Sequence, residues 1–255
     1  MSRFEGRRVV ISGGATGIGA AAVRRFAAEG AAVALLDTNA GDGQALIDEI
    51  RRGGTQALFS PCDVADVAAV QSAVDAAAGA LGGLDVVFAN AGVGTVVVGG
   101  TVESIEPERW ELAFGVNARG VYALCRAAIP HLRARGGGAI VMTSSSSAYT
   151  GTGGRPSHAY AATKGALVSL VRAMAVSYGP EGIRVNGLAP GLVRTRLTED
   201  ILGDPQRREA AIAGIPLRRY ATPEELAACA LFLASDDASF VTGTVLVADG
   251  GQTIV

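Results

Sequence analysis

Tyr160 and Lys164 are the residues of this chain whose types and spacing first suggest chemistry. Residues four apart on a helix share a face, so a phenol and an ammonium at that spacing converge. The flanking run predicts a helix: Leu167, Val168, Leu170, Val171, Met174 and Val176 are apolar, and Gly179-Pro180 ends the pattern. A free phenol titrates near ~10, and a nearby cation lowers that value towards acid–base work at neutral pH. The pair alone is weak evidence. Tyr-x-x-x-Lys arises by chance in many helices, as a half-buried ring beside a solvated cation.

The elements around the pair form a regular pattern. Strands are predicted over 8–12, 32–36, 56–59, 84–89, 139–143, 184–188 and 244–247. Helices are predicted over 18–29, 43–52, 67–80, 108–135, 158–178 and 223–234. Such alternation predicts an α/β protein, a doubly wound sheet of seven parallel strands with helices on both faces. Right-handed crossovers then leave a ligand crevice at the carboxyl ends of the strands. The length suits one domain over residues 1–255, with no repeat and no interdomain linker. The least patterned segment, 193–219, is charged and mixed, and is expected to be a substrate lid with short helices of its own.

Composition removes several function classes. The chain is 49% hydrophobic but only 5% aromatic, a bias towards small apolar residues that suits helices packed closely on a parallel sheet. A formal net charge of -2, without a polybasic run, argues against a nucleic-acid partner. Cys62, Cys125 and Cys229 are odd in number and far apart, so neither a metal site nor a disulfide framework is expected. No apolar run is long enough for a bilayer. The short Val9-Val10-Ile11 run after Arg3, Arg7 and Arg8 breaks on Ser12-Gly13-Gly14, too soon for a signal peptide. A cytoplasmic protein without a membrane partner is expected.

The first predicted strand runs into Ser12-Gly13-Gly14-Ala15-Thr16-Gly17-Ile18-Gly19 and then an Ala-rich helix. Glycines let the backbone turn tightly and approach a pyrophosphate, which a helix N-terminus attracts. The spacing is G-x-x-x-G-x-G rather than the common G-x-G-x-x-G, and without Gly-Lys-Ser/Thr it is no P-loop. Asp37 ends the second strand, about 20 residues on, where an acid can hydrogen-bond ribose hydroxyls. A 2′-phosphate there would meet a like charge, and Thr38 and Asn39 offer no cation to offset it. NAD is therefore favoured over NADP.

In ordered sequence these features resemble the short-chain dehydrogenase/reductase family in its single-domain Rossmann form. The glycine signature is similar to the family's T-G-x-x-x-G-x-G, with Ser12 in place of Thr; Gly13, Thr16, Gly17, Ile18 and Gly19 would line the cofactor. Asp63-Val64 resembles the adenine contact, and Asn90-Ala91-Gly92 the turn that supports the sheet and touches the cofactor ribose. Asn117 matches the helix asparagine, Tyr160 and Lys164 the catalytic pair, and Pro190-Gly191 with Val193 and Thr195 the segment that holds the carboxamide. The catalytic serine has two candidates among Ser144–Ser147. Counting forward from strand 139–143 selects Ser145, and counting back from Tyr160 selects Ser147. Ser145 is preferred because the strand fixes register while loops tolerate insertions.

The resemblance implies hydride transfer between a secondary alcohol carbon and NAD, with Tyr160 as general acid/base. Lys164 would lower the phenol's pKa and hold the ribose, Ser145 would bind the substrate oxygen, and Asn117 would hold a water linking Lys164 to solvent. Two rivals stand beside it: an NADP-dependent carbonyl reductase of the 3-oxoacyl type, and a non-catalytic dinucleotide-binding regulator. It also implies a homotetramer of D₂ type with interfaces on the helices around Asn117 and Tyr160. Arg155, Arg194 and Arg196 are candidates for an anionic substrate, His158 for the pocket wall, and Trp110 for packing.

Overall fold

The valine- and leucine-rich runs assemble into one sheet. A computed structural model describes residues 2–151 and 156–255. In chain order, β1 (Arg8–Ser12), α1 (Gly17–Ala28), β2 (Ala32–Asp37), α2 (Ala40–Arg52), β3 (Ala57–Pro61) and α3 (Val67–Leu81) make the first half. The second half begins with β4 (Val86–Ala89) and two helices, α4 (Thr95–Val98) and α5 (Pro107–Phe114). A π-helical turn, Gly115–Arg119, joins α5 to α6 (Gly120–Ala134), which leads to β5 (Gly138–Thr143) and α7 (His158–Tyr178). After β6 (Ile183–Pro190) come α8 (Glu199–Leu202), α9 (Pro205–Ala213), α10 (Pro223–Ala234) and β7 (Val245–Ala248).

The seven strands are parallel in the order β3-β2-β1-β4-β5-β6-β7. The chain winds outwards from β1 to β3, then returns to set β4 beside β1, with Ile11 opposite Phe88. At such a reversal the two following connections diverge, which opens a crevice at the carboxyl ends of the strands. Successive side chains alternate between faces. Val10, Val87, Ile140 and Val185 pack under α3, α6 and α7, meeting Val74, Leu124 and Val171. Ile11, Leu35, Phe88 and Val141 face α1, α2 and α10, meeting Phe26, Ile47 and Leu231. Burial of each such large side chain is worth about 1.5–3 kcal/mol, so both layers hold the strand ends in place.

Local signals fix several boundaries. Asp66 accepts from the N–H groups of Ala68 and Ala69 and starts α3, and Gly82 in the left-handed region (φ 78) ends it. Asn39 caps α2, which begins at Ala40, earlier than the predicted 43–52 helix. Thr222 and Glu225 form a capping box on α10, and Arg219 holds the Glu225 carboxylate at 2.7 Å.

The predicted continuous helix over 108–135 is corrected: the π-helical turn splits it into α5 and α6. The cause is tertiary. Asn117 is fully buried and pairs with the main chain of Val93, and the wider turn aims it there. Short helices do occupy 193–219, where neither α8 nor α9 buries a residue. No helix among the described residues is long and apolar enough to cross a membrane.

Candidate active site

The glycine turn is built by close backbone approach. Gly13 N–H donates to the Leu36 carbonyl at 2.8 Å, and Gly13 and Gly17 adopt φ of 65° and 55°. A Cβ on Gly13 would lie 2.5 Å from Ala91 Cα, and one on Gly19 would run into the Gly13 carbonyl. Thr16, the residue before α1, makes no side-chain cap, so the first N–H groups of that helix, from Gly17 through Gly19, remain for an anion. A cavity of about 640 Å³ opens beside the turn, lined by Thr16, Gly17, Arg24, Asp42, Thr195 and Arg196 among others.

Asp37 stands at the end of β2, beside the glycine turn. Its carboxylate accepts from Ala15 N–H at 3.0 Å and from Asn39 N–H at 2.9 Å, so it also ties the glycine turn to the next loop. Asp63 turns back on its own loop, accepting from Ala65 N–H at 2.9 Å, while Val64 is buried where Gly120 leaves room for it. Asn90 joins three strand ends. Its amide donates to the Gly13 carbonyl at 2.9 Å and its oxygen accepts from the Thr143 hydroxyl at 3.1 Å. Ser12 Oγ receives the N–H groups of Asn90 and Ala91 at 3.2 and 3.3 Å.

Lys164 is 3% exposed, and its ammonium donates to the Thr143 carbonyl at 2.7 Å. Burial pushes its pKa down to about 8. The ammonium lies 5.7 Å from the centre of the Tyr160 ring, so the two do converge. The expected lowering of the phenol pKa is corrected. Burial raises Tyr160 above its ordinary value, and a hydrogen bond with Ser145 opposes the rise. The pocket desolvates both groups at once, and the ammonium is directed to Thr143 rather than to the phenol oxygen.

Of the four serines, Ser145 is the one bonded to Tyr160; its Oγ also accepts from Ser147 N–H at 3.1 Å. Ser144 turns the other way and donates to the Lys164 carbonyl at 2.8 Å. Asn117 Oδ1 accepts from Val93 N–H at 2.8 Å and its Nδ2 donates to Val93 O at 3.1 Å, locking the side chain in place. A Cβ on Gly92 would sit 3.1 Å from Asn117 Oδ1 and 3.5 Å from Lys164 Nζ, so Gly92 keeps the space between them open.

The remaining predicted residues form the walls. Pro190 ends β6, and Gly191 is pressed against Asp249, where a Cβ would lie 2.7 Å from its Cα. Val193 is buried and bridges to Ala221. Thr195 forms a capping box with Thr198 and leans on the glycine turn, its Cγ2 3.2 Å from where a Gly17 Cβ would be. Leu197 packs over Gly94 in the same way, at 3.3 Å.

His158 Nδ1 accepts from Val102 N–H at 2.9 Å, pinning the chain after α4 to the start of α7, although the side chain is exposed. Trp110 stacks on Phe114 with ring centres 5.1 Å apart and packs near Val98 and Tyr160. Arg196 pairs with Asp42 at 2.8 Å. Arg155 lies outside the described residues.

Two contributors escaped the sequence. Val93 acts on Asn117, and Thr143 on Lys164, through main-chain groups, which any residue type supplies, so side-chain identity carries no signal for those contacts. The whole donor set suits a dinucleotide: bare glycine backbone, unpartnered helix N–H groups and an acid at the ribose position.

Comparison with known proteins agrees with this geometry. The family model described as enoyl-(acyl carrier protein) reductase matches residues 13–253. The meso-2,3-butanediol dehydrogenase of Serratia marcescens is 41% identical over 252 residues, covering 98% of this chain and 96% of the relative. The D-threitol dehydrogenase of Mycolicibacterium smegmatis is 37% identical over 255 residues, covering 99% and 95%. A solved short-chain type dehydrogenase/reductase from Mycobacterium marinum superposes with a TM-score of 0.92 at 35% identity, covering 99% of this chain and 97% of that one. A half-buried tyrosine beside a buried lysine, at the carboxyl ends of the strands, and this run of relatives meet in one assignment: the chain is an oxidoreductase that belongs to the short-chain dehydrogenase/reductase family.

Proposed function

We propose that the protein interconverts a secondary alcohol and a ketone by hydride transfer with NAD. The observation that carries this reading is the hydrogen bond between Ser145 and the half-buried Tyr160, with the Lys164 ammonium 5.7 Å from the centre of the phenol ring. Hydride acceptance or donation is the chemistry the nicotinamide group supplies when bound. Tyr160 Oη takes the alcohol proton in oxidation and returns it in ketone reduction. Its raised pKa keeps the proton on the phenol at neutral pH, which favours the donor role, and the Lys164 charge stabilises the phenolate that forms. Ser145 Oγ donates to the substrate oxygen as charge develops there. Lys164 and Thr16–Gly19 are the residues that would hold the cofactor ribose and pyrophosphate, with Thr195 at the carboxamide, while the segment 193–219 would cover the substrate. Asn117 keeps the Val93 wall and the Lys164 environment fixed.

NAD preference rests on Asp37, whose carboxylate borders the ribose position. The experiment is a panel of secondary alcohols and diols assayed with NAD and with NADP by nicotinamide absorbance. The expected outcome is turnover with NAD and at least about tenfold lower kcat/KM with NADP, as like charges at that position cost several kcal/mol. Asp37→Ala should narrow that gap. A clear NADP preference in the parent overturns the Asp37 argument and favours the carbonyl-reductase reading.

The assembly is proposed to be a homotetramer, since Val176 and Phe240 are apolar and 80% and 103% exposed at the surface of this 25.7 kDa chain. Light scattering should return four times the chain mass; a monomer contradicts it.

A further inference from the structure

A second polar cavity, of about 240 Å³, lies at the pole of the sheet opposite the glycine turn, where β1, β5 and β6 begin. Four guanidinium groups line it, from Arg3, Arg7, Arg135 and Arg184, against the carboxylates of Asp85 and Asp236. Its floor is main chain: Gly136, Gly137 and Gly138 take φ of 81°, 133° and 155°, and a Cβ on Gly137 would lie 2.5 Å from the Gly182 carbonyl. Side chains are thereby kept off the floor, and the arginines reach in from the rim.

The carboxylates are already engaged. Asp85 receives Arg8 N–H at 2.9 Å, Arg8 Nη1 at 3.3 Å and Arg135 Nε at 3.2 Å. Asp236 receives Arg7 Nη2 at 2.9 Å, and Arg3 is bidentate on Glu29 at 2.6 and 2.7 Å. Arg184 differs. Its two terminal nitrogens donate to the carbonyls of Leu233, Ala234, Ser235 and Val241 at 2.8–3.3 Å. Among the described residues no carboxylate lies within ion-pair distance of it. Burial lowers the Arg184 pKa, and the like charge of Arg7 adds to that effect while Asp236 opposes it. The four N–H groups on the Arg184 terminal nitrogens are spent on those carbonyls, so this residue offers the cavity its charge and its Nε–H rather than a fork. Arg7 and Arg135 each meet their carboxylate through one nitrogen, which leaves the rest of each planar fork for another acceptor.

We propose that this cavity binds a compact oxyanion, a phosphate group, on the free forks of Arg7 and Arg135, with the Arg184 cation alongside. Guanidinium forks match the spacing of phosphate oxygens, and the anion would neutralise the charge that the two carboxylates leave over. The site is separate from the helix N-terminus at the glycine turn, so its occupant does not compete with a dinucleotide. Either free phosphate or a small phosphate monoester fits this chemistry.

The test uses the full chain with inorganic phosphate and with glycerol 3-phosphate, each against sodium chloride at matched ionic strength. Calorimetric titration and thermal unfolding are read with and without saturating NADH. The expected result is saturable phosphate binding and a raised Tm that both persist in NADH. An Arg7→Gln/Arg135→Gln variant should bind phosphate at least tenfold more weakly. Arg135→Lys, which keeps the charge and loses the fork, covers the case in which the double variant does not fold, and should weaken binding severalfold. Equal binding of the monoester points to a phosphorylated metabolite as occupant; exclusion of the monoester points to the free ion. Displacement of phosphate by NADH, undiminished binding in the variants, or a Tm that follows ionic strength alone overturns the proposal.

Discussion

Tyr160→Phe should slow turnover by about 10²- to 10⁴-fold while leaving NADH affinity unchanged, the range expected when a positioned acid–base group is removed. The substitution deletes one hydroxyl and keeps the ring, which packs near Val98, Ala113 and Ala159. Ser145 loses its partner but keeps the Ser147 N–H, so no buried polar group is stranded. Because the lost interaction exists only as the proton moves, kcat and kcat/KM should fall together and KM should change little. Steady-state rates and fluorescence titration with NADH provide the check. Wild-type turnover in the variant would remove Tyr160 from the mechanism and leave the fold as a dinucleotide binder.

Lys164→Met should have opposite effects on activity and on stability. Activity should fall at least about 10²-fold, with weaker NADH binding as well, since in the proposed mechanism the same ammonium serves the phenolate and the ribose. Stability of the cofactor-free protein should rise. Folding lowers the Lys164 pKa from 10.5 to about 8, so the folded state holds fewer protons between those values. Below pH 8 the ammonium is charged in both states and its full desolvation penalty applies; above 8 the folded amine is neutral and the penalty fades, vanishing beyond 10.5. At neutral pH the penalty is about 3 kcal/mol, and loss of the Thr143 hydrogen bond returns about 1, leaving a net gain of about 2 kcal/mol. Urea unfolding of both proteins between pH 7 and 10 should show the gain shrinking as pH rises. A gain independent of pH would mean that packing, not charge, is responsible.

Much of this architecture was legible because its causes are local. Alternating valine-rich runs and helical stretches specify strands and crossovers, and the Gly13–Gly19 spacing marks a turn that only bare backbone can make. The position of Ser145 just beyond β5 was legible, since a strand fixes where its last residue points. The break at Gly115–Arg119 was not: its residues fit a regular helix, and the π turn arises only because Asn117 must reach Val93. The rise in the Tyr160 pKa was equally hidden. Helical spacing shows that a cation is near, whereas the opposing term depends on how many neighbours exclude water from the phenol. Arg196 pairing with Asp42 joins elements far apart in sequence, and neither residue's type announces the other.

The strand order has a consequence for how the chain reaches its native state. Of the six parallel pairings, β1 with β4 closes the longest stretch of chain, from Val9 to Val86. Loop closure grows costlier with length, and such non-local pairings slow folding. The crevice lies across this same seam: Gly13 follows β1, and the Asn90 that anchors its carbonyl follows β4. Either half formed alone presents only one wall of the crevice. Ligand affinity therefore appears with the closure of that one seam, and a ligand bound there selectively stabilises chains that have completed it.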